Sequence, residues 1–202
     1  MPRLESKLTL KEPLMSRIPY PNVDRLAPEI AASVTASKLN SLRMFANASP
    51  AVFAGYTKFA GAVFTGSALD PILRQTSILR VCYLSNARYP TFQHEALARK
   101  LGFQEAELLA IKGDAWEATL TASQKAVIAF STDVVNNVRA TDETLQEVMK
   151  YLTVENIVDL ILMIGLFMTS ARLLETADVE LEKTPVDWGD QGRITWPIAD
   201  IE

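Results

Sequence analysis

Residues 70–102 read DPILRQTSILRVCYLSNARYPTFQHEALARKLG and hold both the only histidine of the chain, His94, and its only cysteine, Cys82. Asp70 before Pro71 marks a helix start, because the carboxylate accepts free first-turn N–H groups and proline needs no donor of its own there. Gly102 after Leu101 marks a helix stop. Pro90 disfavours helical geometry at Tyr89. The stretch therefore predicts two helices joined at a break across Asn86-Ala87-Arg88-Tyr89-Pro90, and any reactive centre is expected at that break.

On the first of these helices Gln75, Cys82 and Asn86 fall at i, i+7 and i+11, on one side. Their neighbours Ile72, Leu73, Ile78, Leu79, Val81 and Leu84 are apolar nearly all round, the mark of a buried helix. An unpaired buried amide costs about 1–3 kcal/mol, so Gln75 and Asn86 are expected to be hydrogen-bonded. On the second helix His94 shares a stripe with Pro90, Leu97, Ala98 and Leu101 and faces inward. Two readings of it stand side by side. An imidazole titrates in the range useful to a general acid or base, while a core histidine satisfied by Gln75 or a backbone carbonyl would do no chemistry. Cys82, with no neighbouring cation, reads as a protonated packing residue.

Outward from this stretch the chain is helical. Short helices are expected over Pro28–Ala36 and Leu39–Ala46. Ser49-Pro50 opens a helix with Phe53, Tyr56, Phe59, Ala60 and Val63 on one aromatic-rich face, read as core packing, and Gly66 ends it. A short helix covers Gln104–Ile111. Thr121-Ala-Ser-Gln124 is a capping box ahead of Val127, Ile128, Phe130, Val134 and Val135. Thr141 caps a helix with Leu145, Val148, Met149 and Leu152, and Thr153 caps a long apolar one running to about Ala177. With no alternating strand, the fold class is all-α. The organisation predicted is an extended, proline-bearing segment 1–21, a helical domain 22–182 and a tail 183–202. Trp188, Trp196, Ile194 and Ile198 are expected to pack that tail on its own or a neighbouring subunit.

Composition narrows the function classes. At 202 residues with 49% hydrophobic and 22% charged side chains, the chain is ordinary for a single globular domain. A net charge of −4 without a basic cluster speaks against nucleic acid as a partner. One cysteine makes no intramolecular disulfide, and no CxxC pair or His/Cys cluster is present, so no metal site is expected. The apolar run Leu160–Met168 is too short to span a bilayer, so no membrane is expected either. The N-terminus has no apolar h-region, and the expected location is cytoplasmic.

The pattern LDPILRQTSILRVCYLSNARYPTFQHEALARKLGFQEAEL, residues 69–108, resembles the core signature of the carboxymuconolactone decarboxylase and alkylhydroperoxidase-D-like family. SRIPYP (16–21), LNSLRMFANASP (39–50) and ARLLETADVELE (171–182) resemble its single-domain members, so the resemblance covers roughly residues 15–182. It implies an alkylhydroperoxidase-D-like helical domain assembled as a homo-oligomer (dimer, trimer or hexamer), with the active site between helices near a subunit interface. The family's redox branch uses a Glu, a CxxC pair and a His. The matching positions here hold Gln75, Ala87, Pro90 and His94, so only the histidine is retained. Without the two thiols, peroxidase activity is expected to be absent.

The decarboxylase branch implies chemistry with no cofactor. The first reading is accordingly a cofactor-independent lyase or isomerase of carboxymuconolactone-decarboxylase type acting on an unsaturated acid or lactone. His94 would be its acid/base and Gln75 the partner orienting it. Arg88, Tyr89, Tyr83, Arg80 and Asn86 are candidate substrate-binding donors by nearness in sequence. A second reading is a tailoring enzyme that cyclises or isomerises a reactive intermediate, and a third is a non-catalytic oligomeric binding protein.

Overall fold

The computed structural model describes residues 16–113 and 119–187. Segment 1–15 and tail residues 188–202, including Trp188, Ile194, Trp196 and Ile198, lie outside the described residues. Among the described residues the only regular elements are helical. A 3₁₀ turn, Val23–Arg25, is followed by α1 (Pro28–Ser37), α2 (Asn40–Phe45), α3 (Pro50–Thr65), α4 (Pro71–Leu84), α5 (Arg88–Lys100), α6 (Glu105–Lys112), α7 (Ala122–Asn137), α8 (Asp142–Val148) and α9 (Val154–Ala177).

Helix α4 is the hub, packed against α5, α6, α7 and α9. Asp70 Oδ1 accepts the Ile72 and Leu73 N–H groups at 2.9 and 3.1 Å, and Pro71 occupies the first helical position. Three apolar clusters surround the hub. One joins α3, α4, α7 and α9 through Phe64, Ile78, Val127, Phe130, Leu160 and Ile164. A second fastens α1 and α2 to the end of α9 through Ile30, Leu42, Phe45 and Leu174. The third seats α6 on α4 and α7 through Leu79, Leu108, Ile111 and Ile128. Helix α9 is long and apolar enough to cross a membrane. Here it serves as a core helix, with Leu160, Met163 and Ile164 fully enclosed.

Several local details depart from the sequence reading. Helix α4 stops at Leu84 and α5 begins at Arg88, so Pro90 lies in the first turn of α5 and does not break a helix at Tyr89. First-turn N–H groups have no intrahelical acceptor, so proline costs nothing there. Asn86 has left the helix, with φ 49°, and is exposed, which relieves its amide of any need for an internal partner. Ser49 sits at the start of α3 without a side-chain capping bond. Phe59 is 37% exposed and points away from the face formed by Phe53, Ala60 and Val63.

Because α4 is enclosed, its polar side chains are used internally. Arg80 is 3% exposed. Its Nη1 donates to the carbonyls of Ile111 and Gly113, each at 3.0 Å, and its Nε to Thr132 Oγ1 at 2.8 Å, tying α6 and α7 to α4. We predict that Arg80→Met, which keeps the volume and removes the donors, destabilises the protein by about 2–4 kcal/mol. Urea unfolding would register this as a lower midpoint at unchanged slope.

Candidate active site

His94 is on α5 and Gln75 on the facing side of α4. Gln75 Nε2 donates to the His94 backbone carbonyl at 2.7 Å, and Gln75 Oε1 lies 3.3 Å from His94 Nδ1. The carbonyl can only accept, which fixes the amide orientation and presents an acceptor to the ring. Nδ1 therefore carries the proton, and Nε2 is the nitrogen with a lone pair. Both side chains are buried, at 3% and 1% exposure.

The ring lies edge-on to Phe167 (4.9 Å between centroids, 85°) and beside Phe64 (6.2 Å, 23°). Burial, and secondarily the positive charge of Arg74, lower the His94 pKa from 6.5 to about 3, so the imidazole is neutral throughout the physiological range. Arg74 is itself buried, with Nη1 donating to the Phe64 carbonyl at 3.1 Å.

His94 borders a cavity with about 70 Å³ open to the centre of a water molecule. Leu42, Phe45, Ala60, Phe64, Leu166 and Phe167 supply its apolar wall, and Ser41, Tyr56, Tyr89, Gln93 and Ser170 its polar groups. Ser170 Oγ gives its proton to the Leu166 carbonyl (2.9 Å), so Tyr56 is the donor in the 2.7 Å contact between the two hydroxyls. Burial pushes the Tyr56 phenol up to about 12. The Tyr89 hydroxyl donates to the carboxylate of Glu182 and accepts the Ser41 N–H at 3.2 Å. Burial first, and then that carboxylate, raise its pKa well above the usual phenol value.

Of the substrate-binding candidates read from the sequence, the cavity includes Tyr89; Arg80, Tyr83, Asn86 and Arg88 do not line it. Arg80 faces α6 and α7. Tyr83 donates to Glu95 at 3.0 Å on the surface of α5. Arg88 reaches outward to Asp178 Oδ1 at 2.8 Å and the Val179 carbonyl at 3.3 Å. Nearness along the chain did not specify which side of α4 or α5 each would occupy. Tyr56, Gln93, Ser170 and Glu182 were missed. The helical spacing of Tyr56 reads as packing, and Glu182 lies 93 residues from Tyr89, with no local pattern to join them.

Cys82 is 1% exposed within α4, and burial raises its thiol pKa far above the ordinary value. Among the described residues, no three His, Cys, Asp or Glu side chains converge in a metal-binding arrangement.

No protein-family model and no curated protein matches the sequence. Solved structures do match. The alkylhydroperoxidase AhpD core protein of Ralstonia eutropha JMP134, described as an uncharacterized peroxidase-related protein, superimposes with a TM-score of 0.72 at 18% identity over 90% of this chain and 98% of its own. The chain has the alkylhydroperoxidase-D-like fold. An uncharacterized peroxidase-related protein from Silicibacter sp. TM1040 gives a TM-score of 0.73 at 17% identity, covering 87% and 96% of the two chains. The debrominase Bmp8 in complex with 2,3,4-tribromopyrrole gives 0.64 at 13%, covering 86% and 94%. The fold thus serves proteins named for different chemistries, and the residues of each site must decide its reaction.

A lone histidine makes the charge state directly measurable. Because the folded-state pKa lies below the unfolded value, the unfolded chain binds the extra proton, and stability falls as pH drops from about 6.5 toward about 3. We expect the His94 ring resonances to show no titration between pH 5 and 8. We also expect His94→Gln to flatten the loss of the urea midpoint between pH 6.5 and 4.

Proposed function

We propose that this chain is a thiol-independent enzyme, a lyase or isomerase of carboxymuconolactone-decarboxylase type that moves one proton on a small unsaturated acid or lactone. The observation that carries the reading is the neutral His94 ring, held by Gln75 with its lone-pair nitrogen defined, at the wall of an apolar cavity.

In this reading, for isomerisation, His94 Nε2 takes a proton from a carbon next to the unsaturated system. The electron pair of the broken C–H bond delocalises into that system, and His94 returns the proton at another position. For decarboxylation no C–H bond breaks, and the electron pair of the severed C–C bond to carbon dioxide enters that system. His94, protonated from solvent beside the bound acid, then delivers the one proton that replaces the carboxylate. Gln75 steadies the imidazolium through Nδ1–H but takes no proton from it, since an amide oxygen is far too weak a base. An imidazole with a pKa near 3 is a poor base in the empty site. A bound anion raises it, because a nearby negative charge favours the protonated ring. An acid substrate thus activates the group that acts on it.

Peroxide reduction has no support, since the only thiol is enclosed in α4 and has no second thiol to resolve it. Homo-oligomeric assembly belongs to the same proposal. Its support is the solvent-facing apolar row Val154, Val158, Ile161 and Leu162 on α9.

The aromatic wall of Phe45, Tyr56, Phe64 and Phe167 also suits a flat ring, which favours, as a second reading, a tailoring isomerase or cyclase that works chiefly by holding a conformation. A panel of unsaturated acids and lactones followed by NMR separates the readings. For proton transfer, His94→Gln lowers kcat by about 10²–10⁴ while Cys82→Ser stays within about twofold. For conformational holding, Phe167→Ala is as damaging as His94→Gln. Full turnover by His94→Gln would sink the first reading.

A further inference from the structure

After α9 the chain folds back as a strap, residues 178–187, over α2 and α5. Its ends are fastened at the surface, Asp178 to Arg88 and Asp187 to Lys100 at 2.7 Å, while Gln93 Oε1 accepts the Val186 N–H at 3.0 Å. Its middle is fastened differently. Glu182 Oε1 accepts from the Tyr89 hydroxyl and from the Asn40 N–H at 2.7 Å, and Oε2 accepts from Gln93 Nε2 at 2.5 Å. Tyr89 and Gln93 are 3% and 2% exposed, and both also line the cavity beside His94. On its other side Glu182 borders an open cleft of about 470 Å³ flanked by Lys38, Lys183 and Asp187, the last paired with Lys100. A single carboxylate therefore stands between an outer cleft carrying two cations and an inner cavity.

We propose that the Tyr89, Gln93 and Asn40 donors form a binding site for the carboxylate of a small unsaturated acid, and that Glu182 fills this site as an internal stand-in until such an acid displaces it. The inference rests on the reading of the cavity as a small-molecule site and names where the acid end of the ligand is held. Each oxygen of Glu182 has its own donor, an arrangement that any carboxylate can take over without new geometry. Among the described residues the cavity lining includes no lysine or arginine, so these donors are the anchor the described lining offers an acid. At the cleft Lys38 and Lys183 favour the approach of an anion, and the opposing charge of Asp187 is offset by its ion pair with Lys100. An acid seated on Tyr89 and Gln93 has its carbon chain at the cavity wall next to His94, which follows Gln93 in α5. Because the tethered Glu182 competes at high effective concentration, the unaltered protein holds such an acid weakly.

The test uses sorbate (2,4-hexadienoate) and its uncharged counterpart 2,4-hexadien-1-ol, with affinity measured by calorimetry on the full chain. Glu182→Ala should bind sorbate about tenfold or more tighter than the unaltered protein, since it removes the competing carboxylate. The dienol should change by less than about twofold, and adding Gln93→Leu should abolish the gain. In the unaltered protein, saturating sorbate should speed trypsin cleavage after Lys183, and the dienol should not. Equal sorbate affinity with and without Glu182 would overturn the proposal. So would an equal gain for the dienol, which would show a widened cavity and no carboxylate site. Should Glu182→Ala fail to fold, unaccelerated cleavage with sorbate overturns the proposal by itself. Sorbate competition without turnover of any acid would refute the enzymatic reading and leave the carboxylate site standing; turnover without competition would do the reverse.

Discussion

Helix α4 is enclosed on nearly every side, so its buried polar side chains must find partners inside the protein, Thr76 on the Ile72 carbonyl of its own helix and others on neighbouring elements. Arg74 donates to the α3 carbonyl of Phe64, Gln75 engages His94 on α5, Ser77 shares a 2.8 Å contact with Ser131 on α7, and Arg80 holds the end of α6. Apolar burial is non-directional and would tolerate α4 turned about its axis. These four sets of hydrogen bonds would not survive such a turn, because each would leave a buried group unpaired. They give the bundle a single arrangement, and the position of the candidate site follows from it.

The same constraint sets the chemistry available to His94. An acid at position 75 would share a proton with the ring and draw its pKa upward; glutamine orients the ring and leaves it neutral. Arg74, required by the packing of α3 on α4, lowers the ring pKa further. The imidazole is thus a poised but weak base, and its usefulness depends on what charge arrives beside it. That dependence is why an anionic ligand, rather than a second protein acid at position 75, fits the proposed reaction.

Much of the fold was legible because helix ends are encoded locally. Asp70, Thr121, Thr141 and Thr153 all cap with their side chains where the sequence placed them. The misread points, Ser49, Phe59, Asn86 and the Pro90 break, are those where a residue has two uses and tertiary packing chooses between them. Proline opens helices as readily as it interrupts them, and an amide at a helix end can stay inside or leave. The pairing of Gln75 with His94 was legible because adjacent helices in a short hairpin bring it about. Glu182 was not, since its carboxylate meets Tyr89, Gln93 and Asn40 across 89 to 142 residues of chain. Nearness in sequence makes the arginines around the turn candidates, yet Arg80 is spent on holding α6 and α7 to α4 and Arg88 on holding the chain after α9 to α5.

Cavity size ties the site to motion. An engineered cavity that accepts benzene encloses about 150 Å³, roughly twice the ≈ 70 Å³ beside His94. A ring or six-carbon acid therefore requires one wall to yield. Most of the wall belongs to α3, α5 and α9, whose displacement would open the clusters around Phe64, Phe167 and Leu174 and forfeit their burial. The strap is different. Its surface ion pairs are each worth about 1 kcal/mol or less, Val179 is its one fully buried apolar side chain among the described residues, and its central bonds are made by a carboxylate that another carboxylate can replace. The strap itself does not line the cavity, but Glu182 holds the Tyr89 and Gln93 side chains that do, so releasing it is the least costly way to let that wall yield and also the way that frees donors for an acid.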